Sequence, residues 1–164
     1  AGTGNYGQCV PIEGGLVMIM TSLTKIRNFN SDTCEVTVEA GCLLGDLNKY
    51  LLLKGRQLRL LPSTWRTASV AGFIAGGSGG IGSVRWGFLR DPGHLLGLEV
   101  ITLEELPKKI ELEAKSSEAL NHAYGTNGII TALTIATCPA VDWQEISLDC
   151  NDLHAHTIES HAVG

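Results

Sequence analysis

Charge is scarce in this chain of 164 residues: charged side chains make up 18%, and no block of like charge occurs. Lys and Arg together number 12 against 17 Asp and Glu, a formal net charge of −5. A polyanion therefore finds no clustered basic footprint, and nucleic acid is excluded as an expected partner. Long hydrophobic runs are missing too. Leu16 to Met20 and Leu51 to Leu53 fall far short of the ~18 apolar residues that a membrane-spanning helix requires, so no span is expected. Trp65, Trp86 and Trp143 stand too far apart to argue a stacking platform and are read as packing residues. The five cysteines, Cys9, Cys34, Cys42, Cys138 and Cys150, are odd in number and lack any C-x-x-C pair. That excludes a recognisable zinc site or redox pair, so no metal is expected. With no secretory n-region and h-region at the start, a reducing, cytoplasmic location is the expectation. G-x-x-x-x-G-K does not occur, which removes support for a triphosphatase reading, and no serine-hydrolase nucleophile elbow is read.

What is present is apolar and glycine-rich. Hydrophobic residues reach 44%, the mean hydropathy is +0.14, and glycine accounts for 20 of the 164 residues. The first two figures imply a globular domain with one core; the glycine count, well above the typical ~7%, implies sites that need bare backbone. Leu16 to Met20, a continuous apolar run, reads as a buried strand, and Glu35 to Glu39 alternates as a half-buried strand. Leu44, Leu47 and Leu51 recur at i, i+3, i+7, so Leu43 to Lys54 reads as an amphipathic helix with Gly55 as its left-handed cap. From Arg56 to Asp91 a Leu-rich run gives way to small residues, and the glycine density of Gly76 to Gly82 excludes a helix there. Leu98 to Thr102 and Ile110 to Glu113 read as strands, Ser117 to Ala123 as a short helix, and Ile129 to Thr137 as a strand. This order suggests an α+β domain. Residues 1–139 are taken as that domain and 140–164 as a tail or the severed start of another. Because Ala1 opens directly into a glycine loop with no strand before it, the chain reads as a fragment.

Two stretches satisfy G-x-G-x-x-G: Gly2, Gly4 and Gly7, then Gly77, Gly79 and Gly82. The Rossmann mechanism needs a strand before that loop and a helix directly after it, facing the pyrophosphate. Neither stretch complies. Pro11 and Gly14-Gly15 occupy the helix position in the first, and Ser83 to Gly87 carries no helical stripe in the second. The underlying chemistry survives, because glycines let successive N–H groups converge into an anion-binding nest without any basic side chain. Two such loops could grip one diphosphate; alternatively the glycines serve tight turns.

The ordered set Gly2-Thr3-Gly4-Asn5-Tyr6-Gly7-Gln8, Gly14-Gly15-Leu16-Val17, Val36-Thr37-Val38-Glu39-Ala40-Gly41, Leu61-Pro62-Ser63-Thr64, Ser69-Val70-Ala71-Gly72-Phe73-Ile74-Ala75, Ser78-Gly79-Gly80, Arg85-Trp86-Gly87 and Tyr124-Gly125-Thr126-Asn127-Gly128-Ile129-Ile130-Thr131 resembles the FAD-binding domain of p-cresol methylhydroxylase and vanillyl-alcohol oxidase type. Within it, the chain is most similar to glycolate oxidase and D-lactate dehydrogenase subunits. The resemblance covers roughly residues 1 to 139. It implies a mixed or antiparallel sheet flanked by helices, with the first subdomain incomplete. It also implies that Gly2, Thr3, Gly4 and Asn5 form the pyrophosphate loop, that Pro62, Ser63, Thr64 and Gly72 line the flavin side, and that Ser78, Gly79, Gly80 and Gly82 close over the pyrophosphate. Gly125, Gly128, Ile129 and Ile130 would reach the adenine and ring region through backbone atoms. Relatives with covalent flavin place a histidine where Thr3 stands, so the FAD is expected to be noncovalent. Ala71-Gly72 replaces the family's Gly-Gly.

The implied activity is oxidation of a small-molecule 2-hydroxy acid such as glycolate or D-lactate. The alternative is a noncatalytic flavin-binding subunit or remnant that needs a partner subunit or a homo-oligomer. A further possibility on the same domain is an NADPH-dependent reductase of an enolpyruvyl sugar. No catalytic residue is assigned. His94 and His122 lack a visible partner and are read as structural or solvated. Arg66 and Arg85 flank the glycine segment, either near phosphate or substrate carboxylate or as solvated charges. Cys150, His154 and His156 match no metal-ligand spacing.

Overall fold

The computed structural model describes residues 1–4, 6–7 and 10–144. Its ten elements are β1 (Ile26–Asn30), β2 (Glu35–Glu39), α1 (Leu44–Leu52), β3 (Arg56–Leu58), α2 (Val70–Gly76), α3 (Ser83–Trp86), β4 (Leu95–Ile101), β5 (Lys109–Glu113), α4 (Ala114–Ser117) and β6 (Ile129–Pro139). Five strands lie in the order β1-β2-β6-β4-β5, and β3 pairs with the far end of β6. Every pairing is antiparallel. A Rossmann sheet is thereby ruled out, because that fold is mostly parallel.

Side chains on a strand alternate between faces, so register decides what is buried. Val36 stands opposite Ile135 and Val38 opposite Leu133. Leu98 is opposite Leu133 on one side and Leu112 on the other. All but Leu112, which packs at its margin, belong to one core. Onto the same face α1 presents Leu44, Leu47 and Leu51, each at most 1% exposed, which is the periodic stripe the sequence shows. Helix α2 adds Val70, Phe73 and Ile74.

The expected strand at Leu16 to Met20 does not form: those residues carry no regular structure, and Leu16, Val17, Met18 and Ile19 are exposed. An apolar run becomes a strand only where a neighbour supplies hydrogen bonds and a core face, and among the described residues none does so here. The first strand is instead Ile26–Asn30, whose sequence Ile-Arg-Asn-Phe-Asn suits an edge. The short helix expected over Ser117 to Ala123 is displaced to Ala114–Ser117, where the Ser117 hydroxyl donates to the carbonyls of Leu112 and Glu113.

The opposite face of the sheet is polar. Glu99 accepts from Arg27 Nη1 at 3.0 Å and from the Thr131 hydroxyl at 2.7 Å, with Lys109 Nζ at 2.7 Å. The Arg27 hydrogen bond, supported by those of Lys109 and Thr131 and opposed by burial, holds the Glu99 carboxyl down to about 2. A group whose folded value is depressed stabilises the fold above its ordinary value and loses that contribution as pH falls through the folded value. Glu99 therefore supports the fold above about 4.5, and the support fades toward pH about 2. We expect the urea midpoint of the wild-type chain to fall across that window, and Glu99→Gln to show a lower midpoint at neutral pH with a shallower slope. An unchanged slope would show that the cluster carries no linkage.

Candidate nucleotide site

The site is built around the end of α2. Ser69 caps the start of this helix, its Oγ accepting from Gly72 N at 3.3 Å, and Gly77 closes the end in the left-handed conformation at φ 61°. The Gly77 amide reaches the carbonyls of Phe73 and Ile74, both at 3.1 Å. Two further amides take up carbonyls of the same turn: His122 N donates to Ile74 O at 3.0 Å and Tyr124 N to Ala75 O at 2.9 Å. The loop carrying Gly125 is thus fixed beside Gly77. The glycine-rich stretch excludes a helix only from Gly77 onward, so the sequence reading missed the seven residues of α2 before it.

Beyond Gly77 the chain passes through Ser78, Gly79 and Gly80, all exposed, and then bridges back to the segment after β3. Ile81 N donates to Leu61 O at 2.8 Å and Leu61 N to Ile81 O at 3.0 Å. This bridge lies so close that a Cβ on Gly80 would collide with the Leu61 carbonyl and one on Gly82 with that of Arg59. Pro62, buried, is brought against Gly80, while Ser63 and Thr64 lie exposed in the following turn. Gly72 is exposed one helical turn before Gly76, so Gly72 and Gly76 lie on the same face of α2.

The structure therefore gathers Pro62 to Thr64, Ser78 to Gly82 and Gly125 around the end of α2, with Gly72 along it. It does not join Gly2, Thr3 and Gly4 to them: among the described residues no hydrogen bond ties these three to the second loop, and nothing lies within 4 Å of a Cβ built on Gly2. Asn5 lies outside the described residues, as do Cys150, His154 and His156. Gly128 and Ile130 are buried, and a Cβ on Gly128 would stand 2.7 Å from Val100 Cγ1. Gly128 immediately precedes β6, which Ile129 and Ile130 open, and packing alone accounts for it.

Two glycines lack any such internal reason. Gly76 and Gly79 have ordinary backbone angles, and a Cβ on either would meet nothing nearer than a serine Oγ, at 3.7 and 3.6 Å respectively. The Gly80 amide is taken by Ser83 Oγ at 3.2 Å, but those of Ser78 and Gly79 donate to no acceptor among the described residues. Bare backbone with unspent N–H groups fits a diphosphate that approaches the main chain closely.

Other candidates settle into structure. His94 is buried, its Nε2 2.8 Å from the Trp86 carbonyl. Arg66 stacks over Trp65 at 4.6 Å, while Arg85 and Arg59 lie over Trp86 at 5.3 and 4.8 Å. Burial pushes the Cys42 thiol up to about 11, far from a thiolate nucleophile. Among the described residues no His, Cys, Asp and Glu cluster could hold a metal. Sequence reasoning left Ser83 unassigned, read His122 as structural or solvated, and named Tyr124 only as the first residue of the Tyr124 to Thr131 segment.

Residues 1–105 match the family described as FAD binding domain. Among curated proteins, the chain is 28% identical over 158 residues to a probable mitochondrial D-2-hydroxyglutarate dehydrogenase of Oryza sativa subsp. indica, covering 92% of this chain and 28% of that protein. It is 30% identical over 145 residues to a D-lactate dehydrogenase of Anaerostipes hadrus, 85% of this chain and 30% of that one. It is 30% identical over 101 residues to glycolate oxidase subunit GlcD of Bacillus subtilis, 62% of this chain and 21% of that one. Among solved structures, alkyldihydroxyacetonephosphate synthase superposes with a TM-score of 0.65 at 21% identity, over 73% of this chain and 22% of that one. The chain thus spans under a third of the length of these proteins.

The division of the glycines is testable by substitution. Gly79→Ala should leave the urea midpoint nearly unchanged, within about 0.5 kcal/mol, because the site has room and an ordinary φ. Gly82→Ala, at φ 103° against the Arg59 carbonyl, should lose much more stability. Equal effects would dissolve the distinction.

Proposed function

The chain belongs to the FAD binding domain family, and from that premise we propose that it holds noncovalent FAD for an oxidoreductase acting on a small 2-hydroxy acid such as glycolate or D-lactate. The observation that carries the binding reading is the loop after α2, where Gly76 and Gly79 are bare without internal need and the Ser78 and Gly79 amides are unspent. The substrate class is supported by the names of the relatives, which act on D-lactate, glycolate and D-2-hydroxyglutarate. Bound FAD would supply the redox chemistry as a hydride acceptor. The contribution of the chain is to bind and orient. Ser78 and Gly79 offer N–H groups to the phosphates, and Pro62 to Thr64 and Gly72 bound the flavin side. Gly125 to Ile130 contribute main-chain atoms. No residue here is assigned as catalytic. Thr3, at the position where covalent relatives carry histidine, supports a dissociable cofactor. A cytoplasmic location is proposed from the unpaired cysteine count.

A second reading, a flavin-binding unit that turns over only with a partner chain, is favoured by the exposed apolar segment at the start. Ile12 is 97% and Leu16 88% exposed, which calls for a covering surface.

Purified chain should carry flavin absorbance that is released into solution on denaturation. Dye reduction with D-lactate, glycolate or D-2-hydroxyglutarate then separates the two readings. Turnover by the isolated chain supports the oxidoreductase reading, and bound flavin without turnover supports the partner reading. Failure to bind FAD at all would overturn both.

A further inference from the structure

His122 and Tyr124 are non-glycine residues held at positive φ, 63° and 53°, with Gly125 following at 73°. L-residues avoid this region, and such outliers persist where the surroundings impose them, often at ligand sites. Here the imposing contacts are the hydrogen bonds of both amides to the last carbonyls of α2. The two rings are paired, with centroids 5.2 Å apart and His122 Nε2 3.1 Å from the Tyr124 hydroxyl. The imidazole also lies against Gly77 so closely that a Cβ there would collide with it. Both residues are exposed, and Gly77, against which the imidazole lies, directly precedes Ser78 and Gly79 with their unspent amides.

Proton counting shows what this arrangement can do. A neutral imidazole has one N–H and a tyrosine one O–H. Their contact consumes one of these donors. If tyrosine donates to Nε2, the Nδ1–H of His122 is left without a partner; if Nε2–H donates, the tyrosine O–H is. Either tautomer leaves one side-chain donor next to two backbone donors. Among the described residues, no carboxylate hydrogen-bonds to Gly77, Ser78, Gly79, His122 or Tyr124. Three donors without an acceptor fit a group that accepts on every side, as a diphosphate does, better than a heterocycle whose edge mixes donors and acceptors.

We propose that His122 and Tyr124 form a side-chain clamp that hydrogen-bonds the cofactor diphosphate beside the Ser78 and Gly79 amides. The proposal rests on the FAD-binding reading and deepens it by assigning side chains to a site otherwise built from backbone. Calorimetric titration of the whole chain with FAD, ADP and riboflavin tests it, comparing wild type with the double variant His122→Gly, Tyr124→Phe and with Tyr124→Phe alone. The double variant should bind FAD and ADP about tenfold more weakly, with riboflavin, which has no phosphate, unaffected. Its melting temperature should hold or rise, since glycine accepts φ 63° without strain. A weaker cofactor grip in an equally stable fold is not what a merely structural pair would give. Tyr124→Phe keeps the ring, the backbone and one imidazole N–H but removes the hydroxyl that orients that donor, and should weaken both ligands about threefold; it decides the matter if the double variant fails to fold. FAD and ADP affinities unchanged from wild type, or an equal loss for riboflavin, would overturn the clamp. If wild type itself binds neither FAD nor ADP, the functional reading falls and takes the clamp with it.

Discussion

Strand β6 carries three partners, and the placement of the candidate site follows from how they divide it. Residues 129–135 pair with β4, 132–136 with β2 and 137–139 with β3. Its start emerges from the His122 to Gly128 loop, and its end holds β3, whose continuation through Arg59 to Pro62 receives the Ile81 bridge. Thr137 locks this corner: its hydroxyl donates to Cys34 O at 2.7 Å, and Arg59 Nε reaches its carbonyl at 3.3 Å. Two loops far apart in sequence can flank α2 because one long strand fixes where each begins or ends.

Helix α2 could not stand alone. A seven-residue helix lies well below the ~12–15 residues at which isolated helices become marginal in water. It exists because Phe73 and Ile74 are buried, because Ser69 caps its start, and because amides from Gly77, His122 and Tyr124 cap its end. The same contacts that stabilise the helix hold the site loops, so fold and binding geometry share their supports here. The glycines separate on this basis. Gly77, Gly80, Gly82 and Gly128 are required by close approach of the His122 ring, of carbonyls or of core side chains, whereas Gly76 and Gly79 have neither a close neighbour nor a positive φ to require them.

Periodicity revealed the elements whose burial is decided locally. The leucine stripe of α1 and the alternation of β2 announce one buried face each, and β4, β5 and β6 follow the same logic. The rest depends on tertiary context. Ile26-Arg27-Asn28-Phe29-Asn30 reads as polar because an edge strand is only partly covered, with Arg27 turned to the Glu39 and Glu99 carboxylates. Leu16 to Met20 misleads in the opposite direction, since hydrophobicity demands a cover without guaranteeing one. Of the expected site, the second glycine loop and Pro62 were legible as a set because their residue types suit bare-backbone chemistry. The left-handed angles of His122 and Tyr124 were not, because nothing in either residue type announces them.

A chain with a net charge of −5 can still be expected to hold a dianion, because local dipoles rather than overall balance set the field at a site. The end of a helix is ordinarily the wrong place for an anion, since unpaired carbonyls gather partial negative charge there. At α2 that objection is weakened: the carbonyls of Phe73, Ile74 and Ala75 are each engaged by an N–H from Gly77, His122 or Tyr124. Among the donors left over past the helix are the amides of Ser78 and Gly79 and whichever hydrogen the His122 and Tyr124 contact leaves over. Capping the helix with a distant loop thus quenches part of the negative end, which is what the proposed anion site in a glycine-rich turn without a single lysine requires.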